Sequence, residues 1–264
     1  MDLTIKNKLD KITTFLLDMD GTIYLGNQLF EGVIETLELM RKRGRIVFLT
    51  NNSSKSQVAY INKLHKLGIE AQASEVYTSG MATISYLKRH YPNKSVYCLG
   101  TEALKEECLK EGLILKDDAD VAFLGYDTEL TYEKLCKFTN LLHEGKPYIA
   151  SHPDFNCPAA PYYVPDIGSF MAMIEASTGR KPDVVIGKPY TEMGQSIMDT
   201  FSVDASEVCM IGDRLYTDIA FGNNNHFTSI CVFSGETSHE DYEQSAVKAD
   251  ICLEHIKDIR EYLA

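Results

Sequence analysis

The chain is poor in positive charge. Its 264 residues carry 26 Lys and Arg against 38 Asp and Glu, a formal net charge of -12 with a pI near 5.0. The basic footprint that nucleic acid or an anionic membrane surface requires is missing, so neither is expected as a partner. No apolar run approaches the 18 or more residues of a membrane span, and no basic n-region followed by an apolar stretch opens the chain. A membrane anchor and a secretory leader are therefore not expected. The seven cysteines include no C-x-x-C pair, and most lie inside apolar runs. That pattern argues against a disulfide framework or a zinc site and predicts a reducing, cytoplasmic setting. Internal repeats and low-complexity tracts are also lacking.

What is present is an alternation of short β-branched or aromatic runs with helical periodicity, the pattern of α/β units on a parallel sheet. Strands are predicted at 13–17, 45–49, 96–99, 121–124, 148–150, 184–186, 208–211, 229–233 and 251–253. Phe30, Val33, Ile34, Leu37 and Met40 fall at helical spacing before Gly44, and a second helix passes through Ile61, Leu64 and Leu67 to Gly68. The length predicts about two domains. Residues 151–166 break the rhythm with four of the chain's eight prolines. An irregular segment is expected there, because proline removes ladder and helix donors, and long irregular segments in α/β proteins are usually functional.

The most informative residues are Asp18, Met19, Asp20, Gly21 and Thr22, directly after the first strand. D-x-D-G-T would arise by chance in roughly 0.3% of chains of this length, so the signal is specific. A calcium loop fails, because Leu16 would hold its first ligand position and Asn27 the place of its bidentate Glu. Two carboxylates at this spacing lie on the same side of an extended segment and suit phosphoryl transfer. Asp18 can attack phosphorus, and Asp20 can protonate the leaving oxygen and then activate water. Two anions facing a phosphate would repel it unless a cation such as Mg2+ intervenes.

Three further clusters each follow a predicted strand. Thr50, Asn51, Asn52, Ser53 and Ser54 offer hydroxyl, amide and N–H groups to phosphate oxygens. Gly187, Lys188 and Pro189 supply a cation, and Gly212, Asp213 and Arg214, with Thr217 and Asp218 beyond, supply a further carboxylate for a metal. Ligands of open parallel sheets sit beyond the carboxyl ends of the strands, where such clusters can converge.

These motifs, DMDGT at 18–22, TNNSS at 50–54, GKP at 187–189 and GDRLYTDI at 212–219, resemble those of the haloacid dehalogenase superfamily, in the branch of NagD and the p-nitrophenyl phosphatases. The resemblance covers essentially the whole chain. It implies an α/β fold: a Rossmann-like parallel-sheet core at 1–79 and 184–264, with an inserted α/β cap of the C2 type at 80–183. It implies a Mg2+-dependent phosphatase acting on small phosphomonoesters through an aspartyl-phosphate. Asp18 would be nucleophile and Asp20 acid/base, with Thr50 and Lys188 on the phosphate. Asp18, Asp213 and the main-chain carbonyl of Asp20 would hold the metal. Asn51 is a phosphate contact or an orienting residue, and Asp218 a partner behind the metal ligands. The proline-rich segment falls where the family carries its specificity loop, so His152, Asp154, Phe155 and Asn156 become candidates for the leaving group. Tyr162 and Tyr163 are packing residues or substrate contacts. A dimer through the cap is also implied. The alternatives are a mutase and a phosphometabolite-binding regulator. Mutase relatives carry a smaller cap between the first two motifs, whereas only 27 residues separate Thr22 from Thr50. Retention of both Asp18 and Asp20 counts against the regulator.

Overall fold

The computed structural model describes residues 3–159 and 162–263. In chain order the strands are β1 (Thr14–Leu17), β2 (Tyr24–Leu25), β3 (Gln28–Leu29), β4 (Arg45–Thr50), β5 (Val76–Thr78), β6 (Ser95–Leu99), β7 (Ile114–Leu115) and β8 (Val121–Leu124). They continue as β9 (Tyr148–Ala150), β10 (Asn156–Ala159), β11 (Tyr162–Pro165), β12 (Val184–Val185), β13 (Val208–Gly212), β14 (Thr228–Val232) and β15 (Ile251–Leu253). Contacts divide the chain into two units, one of Met1–Thr50, Gln57–Tyr77 and Ile197–Ala264, the other of Asn51–Ser56 and Thr78–Ser196. Against the boundaries read from the sequence, the second unit gains 51–56 and reaches on to Ser196.

The first unit is built on a sheet of order β15-β14-β13-β1-β4-β5. β1 pairs in parallel with both β13 and β4, and β13, β14 and β15 continue the parallel ladder. The central strands β1 and β13 are buried at every position, as strands covered on both faces must be. Phe15 and Leu17, Ile46 and Phe48, Cys209 and Ile211, and Ile230 and Val232 share one core because alternate residues face the same side. Helix Val33–Arg43 adds Val33, Leu37 and Met40 to that core and ends at Gly44, whose N–H bonds the Met40 carbonyl. The chain winds outward from β1 to β4 and β5, then returns to β13 and winds the other way. The strand order therefore reverses between β1 and β13, the place where an open α/β sheet leaves a crevice at the strands' carboxyl ends.

The second unit has its own five-stranded sheet, ordered β12-β9-β8-β6-β7, with every pairing parallel. Tyr97, Leu99, Ala122, Leu124, Tyr148 and Ala150 form one core with Phe138, Leu141 and Leu142 of helix Tyr132–His143 and with Ile167 and Ile174 of helix Ile167–Thr178. The strand expected at 184–186 belongs to this sheet as its edge, not to the sheet that carries Asp18.

The proline-rich segment is a second correction. Expected to be irregular, it contains the antiparallel pair β10 and β11, in the register Asn156↔Pro165, Cys157↔Val164, Pro158↔Tyr163 and Ala159↔Tyr162. In a ribbon of two strands both are edges, and alternate residues point their N–H groups outward. Pro158 and Pro165 fall in pairs of the same alternate class, so each spares the ladder its missing donor. Residues 160 and 161 of this segment lie outside the described residues. All seven cysteines are free thiols. No helix among the described residues is long and apolar enough to cross a membrane.

Candidate active site

The first unit places Asp18 and Asp213 one residue beyond the carboxyl ends of β1 and β13, the neighbouring strands at the reversal of strand order. The ladder continues into the site, since the Asp18 N–H bonds the Ile211 carbonyl at 2.9 Å. Asp218 joins them from a π-helical turn, Leu215–Ile219, in which the Ile219 N–H reaches back to the Arg214 carbonyl at 3.2 Å. Single wide turns of this kind recur at functional sites. Asp18, Asp213 and Asp218 are all buried, and each offers a carboxylate oxygen within 4.8 Å of the others.

Asp213 is tightly held. Its Oδ2 accepts the Glu236 N–H at 2.7 Å, and Thr22 donates its hydroxyl to Oδ1 at 3.3 Å. Gly21, at φ +87°, lets the D-x-D-G-T turn pass so close that a Cβ there would lie 2.3 Å from Asp213 Oδ2. Asp218 accepts the Arg214 N–H at 3.2 Å. Burial, and then the charges of Asp18 and Asp218, raise the Asp213 carboxyl to about 7. Three hard oxygen donors crowded this closely out of water fit a divalent cation, which would relieve their repulsion.

Asp20 is differently placed. Its side chain is 55% exposed, and Lys63 Nζ lies 3.9 Å from Oδ2 and 3.9 Å from the centroid of the Tyr24 ring. The carboxylate stands outside the buried trio, so the pair from one motif has two environments, as separate nucleophile and acid/base roles require. Thr50 closes β4, half-buried.

In the second unit Lys188 is fully buried just beyond β12. Asn51 grips its main chain from both sides: Oδ1 accepts the Lys188 N–H at 2.8 Å, and Nδ2 donates to the Lys188 carbonyl at 2.9 Å. Gly187 is required by this approach, because a Cβ there would lie 2.7 Å from both Asn51 Oδ1 and His152 Cβ. Both polar atoms of the Asn51 amide are thus engaged with the Lys188 main chain. His152, expected at the leaving group, is fully buried. Its Nε2 lies 3.0 Å from Asp166 Oδ1 and its Nδ1 3.0 Å from Ser151 Oγ, so both ring nitrogens are engaged inside the unit. Asp154 is half-buried and accepts from Asn51, which leaves Phe155, 61% exposed, and Asn156 as the outward-facing members of the four. Tyr162 and Tyr163, at 79% and 72% exposure, are not packing residues of this unit. The sequence reading overlooked Asp166, although an aspartate just before an apolar helical run is a helix-start signal. It overlooked the Glu236 N–H as well, which has no signature in residue type.

Comparison with known proteins agrees with this architecture. Residues 15–114 match the family model of haloacid dehalogenase-like hydrolases, and residues 185–259 match a second, HAD-hydrolase-like model. The chain is 34% identical to an acid sugar phosphatase of Staphylococcus epidermidis, over 88% of this chain and 91% of that one. It is 34% identical to the chloroplastic phosphoglycolate phosphatase 1A of Arabidopsis thaliana, over 95% of this chain and 77% of that one. The crystal structure of 4-nitrophenylphosphatase from Thermotoga maritima superposes with a TM-score of 0.93 at 42% identity, covering 97% of this chain and 99% of the other. The chain thus belongs to the haloacid dehalogenase-like hydrolases, in the branch of NagD and the p-nitrophenyl phosphatases, and is a phosphoric monoester hydrolase.

Proposed function

We propose that this phosphatase is Mg2+-dependent and hydrolyses small phosphomonoesters through an aspartyl-phosphate on Asp18. The observation that carries the reading is the buried trio of Asp18, Asp213 and Asp218 beside the ends of β1 and β13. Asp18 and Asp213, with Asp218 beside them and the main-chain carbonyl of Asp20, are the groups assigned to the metal. The cation would supply charge neutralisation and hold the phosphate against the nucleophile.

The chain's own residues do the rest. A carboxylate oxygen of Asp18 forms a bond to phosphorus as the bond to the ester oxygen breaks, and Asp20 delivers a proton to that leaving oxygen. Asp20, now ionised, takes a proton from water, whose oxygen attacks phosphorus and releases inorganic phosphate from Asp18. Exposure suits Asp20 to this exchange with solvent. Lys188 offsets phosphate charge, Thr50 donates its hydroxyl to the phosphate, and Asn51 keeps Lys188 in place. The relatives named for sugar phosphates, phosphoglycolate and 4-nitrophenyl phosphate support small monoesters as the substrate class. Nucleoside monophosphates belong to the same class.

The second unit is assigned the role of specificity cap, with Phe155 and Asn156 toward the leaving group and a dimer formed through this unit. A reducing, cytoplasmic setting is part of the same reading. A screen of phosphorylated metabolites with Mg2+, run beside p-nitrophenyl phosphate, tests the proposal. Turnover should vanish in EDTA, return with Mg2+ and be absent in Asp18→Asn. Full activity in EDTA would overturn the metal, and wild-type turnover by Asp18→Asn the nucleophile.

A further inference from the structure

The Asp154 carboxylate lies in the second unit at the foot of the β10–β11 ribbon, where a contact to the leaving group was expected. Instead its Oδ2 accepts the Asn51 amide at 3.1 Å. The same nitrogen donates to the Lys188 carbonyl, and the amide oxygen accepts the Lys188 N–H. Asn51 therefore has both donors and its acceptor committed. A primary amide can rotate end for end, which would here set its oxygen against the Lys188 carbonyl. Asp154, an acceptor only, penalises that rotation and fixes which end of the amide faces which group of Lys188.

Asp154 is itself held. Its carbonyl accepts the Gly168 N–H at 2.8 Å, and the next carbonyl, of Phe155, accepts the Asp166 N–H at 2.9 Å. Two residues before it, His152 pairs with Asp166. The loop is thus tied to the start of helix Ile167–Thr178 on both sides of Asp154. A carboxylate so anchored has little freedom to follow a substrate.

We infer that Asp154 is a positioning residue: through Asn51 it orients the main chain of Lys188, and with it the ammonium group, whatever the leaving group. The inference rests on the proposed role of Lys188 at the phosphate.

The test is a double-mutant cycle in Mg2+ with two unlike substrates, p-nitrophenyl phosphate and ribose 5-phosphate. Asp154→Ala should lower kcat about tenfold on both, by the same factor, within what a small misplacement of a catalytic group costs. Asn51→Ala should fall at least as far, and the double variant no further, since Asp154 acts through Asn51. Asp154→Asn keeps an acceptor oxygen for the Asn51 amide and should stay within about twofold of wild type. If Asp154→Ala does not fold, Asp154→Ser, whose hydroxyl falls short of Asn51, takes its place. A change in KM for ribose 5-phosphate alone would make Asp154 a leaving-group contact and overturn the inference. So would additive losses in the cycle, or an Asp154→Asn variant as slow as Asp154→Ala. Lys188→Met separates the two levels. Wild-type turnover there removes the proposed role of Lys188 and the inference with it, whereas an inactive Lys188→Met beside an additive cycle sinks the inference alone.

Discussion

At Asp213, burial and two neighbouring carboxylates act in the same direction, and the consequence is measurable as stability. The folded chain keeps the Asp213 proton up to about pH 7, while the unfolded chain releases it near its ordinary value of 3.8. Between those values the unfolded state binds fewer protons, so the stability of the metal-free protein falls as pH rises through this window. Melting temperatures in EDTA should show that decline, saturating Mg2+ should oppose it by binding the folded state, and Asp213→Asn should flatten it. An unchanged slope in Asp213→Asn would assign the decline to other groups. At this scale the sequence was legible where placement follows from a polar residue directly after an apolar run, as for Asp18 and Asp213 beyond β1 and β13. It was not legible for His152. A histidine in a proline-rich loop reads as a contact for the leaving group, and only the fold shows Asp166 and Ser151 closing around it.

Elements show a similar division. Strands with continuous apolar runs announced themselves, whereas β2, β3 and β7 are only two residues long and leave no period to detect. The ribbon of β10 and β11 was hidden by its prolines, because proline is excluded from a ladder only where its N–H would be used, and register is invisible in a single sequence. The same logic makes a prediction. Pro165→Val removes a ring from a pairing position that has no need of a donor, and Val is a good strand residue, so melting should shift little. Cys157→Pro, in the alternate class of pair, deletes a ladder donor and should disrupt the ribbon. Activity on a bulky monoester relative to p-nitrophenyl phosphate would report that disruption. The D-x-D-G-T turn is less forgiving: Gly21→Ala should abolish turnover and Mg2+-dependent stabilisation together, since its Cβ would displace Asp213.

For the whole molecule, the two units have separate cores, so unfolding need not be a single event. Calorimetry should resolve two transitions, with Mg2+ raising only the one that belongs to the unit holding Asp18, Asp213 and Asp218. Phe48→Ala and Phe138→Ala, each removing a fully buried ring, should cost about 3–5 kcal/mol and lower the first and the second transition respectively. One cooperative transition lowered equally by both variants would refute this independence. The order of the strands has a consequence in time as well. β1 lies beside β13, with Thr14 opposite Val208, so the central pairing of the first unit awaits a strand made long after its partner. The second unit is complete once Ser196 has been made, and domains fold as units during synthesis. A ribosome stalled with Ser196 emerged and β13 still inside the exit tunnel should therefore expose a protease-resistant second unit beside an unsettled segment that carries β1. The nascent chain carries Asp18 long before it can act, and it gains a phosphatase only once β13 has joined β1.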